Sequence, residues 1–432
     1  MKSHTMNRRT FLAAAGAAGL AAAASPSDGA AQSAPVRADW PHFLGPARTG
    51  VSAETGLLKT WPEEGPPVVW QRDIGEGYGA PVVAEGRLVN FHRIGDEEIV
   101  ECVDALDGAK SLWQYGYPTR YVDQYGYNGG PRSSPAIAGG RVYTYGAEGV
   151  LTCVDFATGA LRWQRPVNRE FNAPQGFFGA GSAPVVDGGL VFLNTGGPDG
   201  AGVAAFDADT GETAWTASND TASYSTPIVA ALHGERLAIF HTGDGLLVVE
   251  AKTGMERYRY PFRSELYESA IAATPVLVGD VVFLSGAYHI GAVALKLAPG
   301  GLEVVWRDEF AMQNHWATSI YHEGYLYGMD GRHERGSNLR CIEFATGKVV
   351  WTAEKGLGRA SFIMVEGHLI AVGERGDIAL IEASPEGYRE KARVKVLYYP
   401  VWTPPILARG RLYVRNERSK RAIKCLDLRA EA

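Results

Sequence analysis

Six segments of this chain repeat one pattern roughly forty to fifty residues apart: CVDALDGAKSLW (102–113), CVDFATGALRW (153–163), AFDADTGETAW (205–215), VVEAKTGMERY (248–258), ALKLAPGGLEVVW (294–306) and CIEFATGKVVW (341–351). Each holds an apolar strand that usually ends in Asp or Glu, a tight turn built on glycine, and a second strand closed by an aromatic ring. The acidic residue suits an Asx-type turn and the glycine accepts a positive φ. A unit this small cannot bury its own apolar face, so successive copies have to stack.

Each copy sits inside a larger unit. Eight times a β run starts with small or hydroxylated residues, usually before proline: GAPVV (79–83), SSPAI (133–137), SAPVV (182–186), STPIV (225–229), ATPVL (273–277), ATSIY (317–321), ASFIM (360–364) and TPPIL (403–407). Proline is tolerated at the first residue of a strand, where no ladder donor is yet required. A glycine turn and an alternating strand such as RVYTY (141–145) follow, and then the repeated pair. The expectation is all-β: an eight-bladed β-propeller of four-stranded antiparallel blades. The eighth unit, from Trp402, runs out after KCLDL (424–428) with three strands, while PPVVWQRDI (66–74) reads as a last strand with nothing before it. That N-terminal strand is expected to complete the last blade, closing the ring and removing an exposed edge.

Three regions follow: 1–34, an N-terminal arm over 35–65, and the propeller over 66–429. Residues 6–34 have a charged start, an apolar run from Phe11 to Ala24 and small residues near position 34, which is the form of a cleaved secretory leader. Arg8-Arg9 followed by Phe11-Leu12 is of the twin-arginine type. The apolar run is short of the roughly 20 residues that span a bilayer, so the expected mature protein is periplasmic or otherwise exported, with no transmembrane segment. The net charge is −6, and the leader is itself basic. An acidic mature chain without a Lys/Arg cluster excludes nucleic acid as a partner, since phosphate neutralisation supplies most of that affinity. Cys102, Cys153, Cys341 and Cys425 occupy equivalent points of different blades. At a propeller radius such points lie about 11 Å apart, beyond the ~7 Å reach of a disulfide. Four buried thiols are expected.

Trp70, Trp113, Trp163, Trp215, Trp306 and Trp351 close the units, and a large ring with one N–H donor suits a seam between blades. Tyr258 replaces tryptophan in the fourth unit, and the seventh has no aromatic closure and is expected to pack least tightly. The long connections are 92–99, 114–131, 164–180, 259–272, 307–316 and 330–338. Alternation puts all of them on one face, where binding usually resides. The mouth of the channel on that face should be ringed by Tyr78, Arg132, Phe178, Tyr224, Glu268, His315, Trp316, Arg359 and Trp402. This mixture suits a planar or polyhydroxylated ligand carrying negative charge; the alternative is that these groups hold one another and fill the narrow end of the channel. His315 has the titration range of a general base but no nucleophile beside it. Asp330, His333 and Glu334 are the nearest approach to a metal cluster, yet neighbouring residues of a strand point oppositely and Arg332 and Arg335 compete, so no metal is expected. Asp96, Glu97 and Glu98 read as a solvated loop tip.

The units AFDADTGETAW and CVDFATGALRW resemble the repeat of propellers related to pyrroloquinoline quinone (PQQ) enzymes. The whole chain, from DWPHFLGP through MQNHWATS and YGMDGRHE to WTPP and GRLYVRN, is similar to exported PQQ-binding-like repeat proteins. Outer-membrane assembly propellers share the repeat and carry no cofactor, whereas in quinoprotein dehydrogenases PQQ lies under an adjacent, disulfide-linked cysteine pair with a calcium ion and an Asp base. Here no two cysteines are adjacent and no CxxCH occurs. The resemblance therefore implies an exported binding or interaction protein for a small molecule or an envelope protein. It leaves as alternatives a PQQ- and calcium-dependent oxidoreductase acting on an alcohol or sugar, and an envelope assembly scaffold.

Overall fold

The structure is a computed structural model that describes residues 36–430 apart from 267–268, 334–335, 354–355 and 419; the leader lies outside the described residues. Eight antiparallel sheets follow one another along the chain. Seven blades are formed from residues 82–118, 136–166, 185–217, 228–261, 276–308, 320–352 and 360–395. In the eighth, Val68–Asp73 pairs antiparallel with Ala422–Asp427, with Trp70 opposite Cys425. The two ends of the chain thus share one sheet, and the ring is closed as the truncated eighth unit requires. Among the described residues no helix is long and apolar enough to cross a membrane.

The repeated residues explain the seams. In each tryptophan-closed blade the indole N–H donates to a carbonyl in the next blade's turn: Trp70 to Ala105, Trp113 to Phe156, Trp163 to Ala208, Trp215 to Ala251, Trp306 to Phe344 and Trp351 to Ser384, all at 2.8–3.1 Å. Tyr258 does the same with its hydroxyl, to Ala298 at 2.9 Å. The turn glycine then lies flat against the ring. A Cβ on Gly211, which has φ +74°, would sit 2.6 Å from the Trp163 indole. We expect Gly211→Ala to cost about 2–3 kcal/mol by denaturant titration, from positive φ plus overpacking. Gly234→Ala, at φ +82° with nothing within 4 Å, should cost only about 1 kcal/mol, so equal losses would refute the ring contact.

The acidic residue before each turn behaves as its spacing implies: Asp155 Oδ1 accepts from the Ala157 and Thr158 amides and the Thr158 hydroxyl. The four cysteines are buried and free, each opposite its blade's tryptophan. Hydroxyls leading into the inner strands staple neighbouring blades: Ser134 accepts from the Ala80 amide, Thr226 from Ala183 and Thr318 from Thr274, at 2.9–3.1 Å.

The arm is built into the propeller. Trp40 exchanges two backbone hydrogen bonds with Val83 in the inner strand of blade 1, Pro41 accepts from Ile137 in blade 2, and the Arg48 guanidinium donates to Val186 in blade 3. Val51–Ser52 adds a fifth, parallel strand inside Ala360–Val365 of blade 7. Ala38 accepts from Arg409, and the Glu54 carboxylate from Gly410, beside blade 8. The segment therefore runs along the inner strands of blades 1, 2, 3, 7 and 8 at the end opposite the long connections. Inner strands of blades 4 and 5, Ile228–Leu232 and Val276–Val278, stay half-exposed. The arm also changes the picture of blade 7, expected to be loosest. Where other blades carry tryptophan, blade 7 has Ala392, and Trp61 of the arm packs into the same apolar cluster as Ala392 and Val394.

Two sequence expectations are corrected. Residues 92–99 are not a loop: Arg87–Ile94 and Glu97–Asp104 form one long hairpin. Glu98 is not solvated either. Strand alternation turns it inward, opposite Tyr117, where it is fully buried and accepts from the Tyr117 hydroxyl (2.7 Å) and the Ala147 amide (2.8 Å).

Candidate functional site: the long-loop face

Eight of the nine mouth positions can be placed; Glu268 lies outside the described residues. Tyr78, Arg132, Tyr224, Trp316, Arg359 and Trp402 stand just before inner strands, where the repeat sets them, while Phe178 comes from the connection entering blade 3. They meet in a continuous collar of rings. Tyr78 stacks on Trp402 (5.6 Å between centroids, 16° between planes), Trp402 meets Trp316 at 5.7 Å, Trp316 meets His315 at 4.8 Å, and Phe178 meets Tyr224 at 5.8 Å. Two tyrosines without repeat equivalents complete it. Tyr127, from the 114–131 connection, touches both Trp402 and Phe178, and Tyr288 touches His315 and shares an apolar cluster with Phe178 and Tyr224.

The guanidinium groups lie over this collar, Arg132 above Tyr78 and Tyr121, Arg359 above Trp316 and Trp402, and Arg332 above Tyr288, at 4.6–5.4 Å from the ring centroids. Two of them are already paired. Arg132 holds the buried Asp123 at 2.6 Å, and Arg359 forms a two-pronged pair with Glu374, which is fully buried and also accepts from the Trp402 indole at 2.6 Å. Asp123 in turn accepts from the Tyr125 and Tyr127 amides, fixing the loop that presents those rings. Glu417 accepts from both the amide and the hydroxyl of Thr403 and from the Trp402 amide, and burial pushes its carboxyl up to about 7. Arg415, fully buried, donates to Gly77, Gly79 and Asn90 and locks blade 8 to blade 1.

His315 is not a base working near neutrality. Burial, with Arg359 and Arg332 nearby, pushes it down to about 3, and its Nε2 lies 3.0 Å from the Tyr288 hydroxyl. Asp330 is held by Arg340 at 2.8 Å and accepts from the Gln313 amide, and Glu334 lies outside the described residues. Among the described residues no three His, Cys, Asp or Glu side chains converge as metal ligands.

Little of the donor set at this mouth is free to hold PQQ with calcium. A polycarboxylate quinone needs free cations, and calcium needs several free oxygens. At this mouth the carboxylates Asp123, Glu374 and Glu417 are taken up by protein donors, as are the guanidiniums of Arg132, Arg359 and Arg415. Most charged groups of the collar are thus paired within it, while Arg132 Nε, His315 Nδ1 and Trp316 Nε1 are buried without a hydrogen-bond partner among the described residues. The sequence signal was weak because Asp123, Glu374 and Glu417 lie in connections outside the repeated pattern, and Arg415 ends a repeated strand where blade 2 carries Tyr145.

Comparison with known proteins agrees with this architecture. The sequence model of the family described as outer membrane protein assembly factor BamB matches residues 96–353. The chain belongs to that family. The BamB of Burkholderia pseudomallei is 30% identical over 176 residues, 40% of this chain and 41% of that protein, so the match spans about two fifths of the relative's length. Two solved structures share the fold. The BamB of Moraxella catarrhalis is 15% identical with a TM-score of 0.61, covering 85% of this chain and 98% of its own. The quinohemoprotein alcohol dehydrogenase of Comamonas testosteroni is 13% identical with a TM-score of 0.65, covering 91% and 81%. At those identities the likeness is one of fold alone, and BamB-type and quinoprotein propellers both display it.

Proposed function

We propose that this BamB-family propeller works outside the cytoplasm, after removal of residues 1–34, as an interaction scaffold that engages an envelope protein or small ligand through its long-loop face. The observation that carries this reading is an apolar apron raised above a collar whose charged groups are mostly paired. Val122, Tyr125, Tyr127 and Leu266 are 42–73% exposed and lie on the connections of one face, with Phe177 and Phe178 beside them. Exposed aromatic rings on loops fixed by a rigid scaffold are the usual anchors of a binding surface. The eight described mouth positions form the floor beneath these anchors in this reading. The family name supports an envelope setting, and the donor set at the mouth gives the oxidoreductase alternative no support.

A photo-crosslinking residue at Tyr125 should capture a discrete envelope partner, and one at Lys252, in a turn on the opposite face, should not. Tyr125→Ser combined with Phe177→Ser should lower recovery of that partner about tenfold, since anchor residues dominate such interfaces. Equal capture from both faces would refute the reading. Incubation with PQQ and calcium, followed by absorbance and dye reduction with an alcohol, should give no quinone signal; a stoichiometric quinone with turnover would restore the enzyme reading.

A further inference from the structure

A groove of about 570 Å³ leaves the collar beside Tyr127 and runs outward between blades 8 and 1. Its walls are the connection carrying Val122 and Gly129, the tip of the long blade 1 hairpin at Arg93 to Gly95, and Arg421 of blade 8. That volume lies in the range of small-ligand sites and accommodates about two or three sugar rings. We propose that this groove binds a short, neutral, linear oligosaccharide.

Three observations select that chemistry. First, charge is present but cancels. Asp73 and Glu76 line the groove together with Arg93 and Arg421, and the fifth charged group, Asp123, is neutralised by Arg132, so neither a polyanion nor a polycation is favoured. Second, planar donors and acceptors remain within reach of solvent. Arg421 and Glu76 pair at 3.3 Å with side chains 34% and 35% exposed. That contact uses one N–H of the guanidinium, and the fork presents several more, the arrangement that clasps vicinal hydroxyls. The Tyr127 ring, 42% exposed, adds an apolar surface for the C–H face of a sugar. Third, an extended peptide has no strand to join, because the backbone of the wall is already paired. The Glu76 amide donates to the Arg93 carbonyl and the Arg93 amide to Glu76, both at 2.8 Å. Peptide docking by strand addition needs those groups free.

The proposal rests on the long-loop face being the binding face, and its test separates the two. The purified exported chain is titrated calorimetrically with millimolar gluco-, xylo-, manno- and chito-oligosaccharides of about two to four units. At least one should bind, with affinity lowered about tenfold by Arg421→Ala and by Tyr127→Ala, and unchanged by Lys252→Ala, in a turn on the opposite face. Arg421 is partly solvent-exposed, so its variant should keep the parent denaturation midpoint, and Asp73→Ala provides a second exposed probe. Binding by no member of the panel, or binding indifferent to Arg421→Ala, overturns the proposal. In either case, crosslinks from Tyr125 that persist leave the protein-partner reading standing.

Discussion

Acidified from about pH 7 to about pH 5, the protein will lose on the order of 5 kcal/mol of folding stability, read as a fall in the denaturant midpoint. Four histidines are held as neutral rings, His92 and His241 buried and His42 and His315 half-buried. Burial is the first cause in each, pushing His42 and His241 down to about 4 and His92 and His315 down to about 3. The His92 case is visible in its geometry: Nδ1 accepts from the Gly75 amide at 3.0 Å, which a protonated ring cannot do. In the unfolded chain these rings protonate near 6.5. Below that value the unfolded state binds more protons than the folded one, so stability drops with pH until the folded values are reached. Each ring contributes about 1.4 kcal/mol per pH unit across that window. Glu417, raised to about 7 by burial, acts in the opposite sense, and Glu54, Glu98 and Asp330, also raised by burial, soften the acid end. Four rings against one carboxyl in the upper part of the window set the sign. A midpoint that holds or rises on acidification would show that these rings are not kept neutral by the fold.

Which parts of this molecule were legible depended on whether a residue obeyed the repeat. Blade number, the borrowed outer strand, the tryptophan seams and the buried thiols all derive from one local pattern copied along the chain, so periodicity alone carries them. The mouth positions just before each inner strand were reachable by the same counting, and among the described ones the rings touch. Tyr127 and Tyr288 were not, because each sits in a connection with no counterpart in other blades. Glu98 was misjudged because Asp96-Glu97-Glu98 looks like a charge run. The cross-strand partner Tyr117 and the alternation of VNFHRI against EEIVECV were the signals that a hairpin continued there. The arm's place was hidden for another reason. Its contacts join residues as distant as Asp39 and Arg409, and such pairings leave no local trace in sequence.

Trp40→Ala will cost about 3–5 kcal/mol, the largest effect expected of any single arm substitution. Trp40 is 1% exposed, and the arm folds round it: Gly45, at φ +83°, lies against the ring so closely that a Cβ there would be 3.0 Å from its carbons. The same residue is paired through its backbone to the inner strand of blade 1 and belongs to the core cluster shared with blades 7 and 8. Removing the ring therefore opens a cavity where three blades meet the arm, and the glycine turn loses the surface it wraps. The loss should appear as a lower denaturant midpoint and as protease cleavage within residues 38–60 at concentrations that leave the parent intact. Trp40→Phe keeps part of the ring and should fall between the two. Were Trp40→Ala to cost less than about 1 kcal/mol, the arm would be a covering laid over inner strands that the blades already hold. Closure of the ring would then belong to the borrowed outer strand alone, because Val68–Asp73 is the other N-terminal segment that joins a blade.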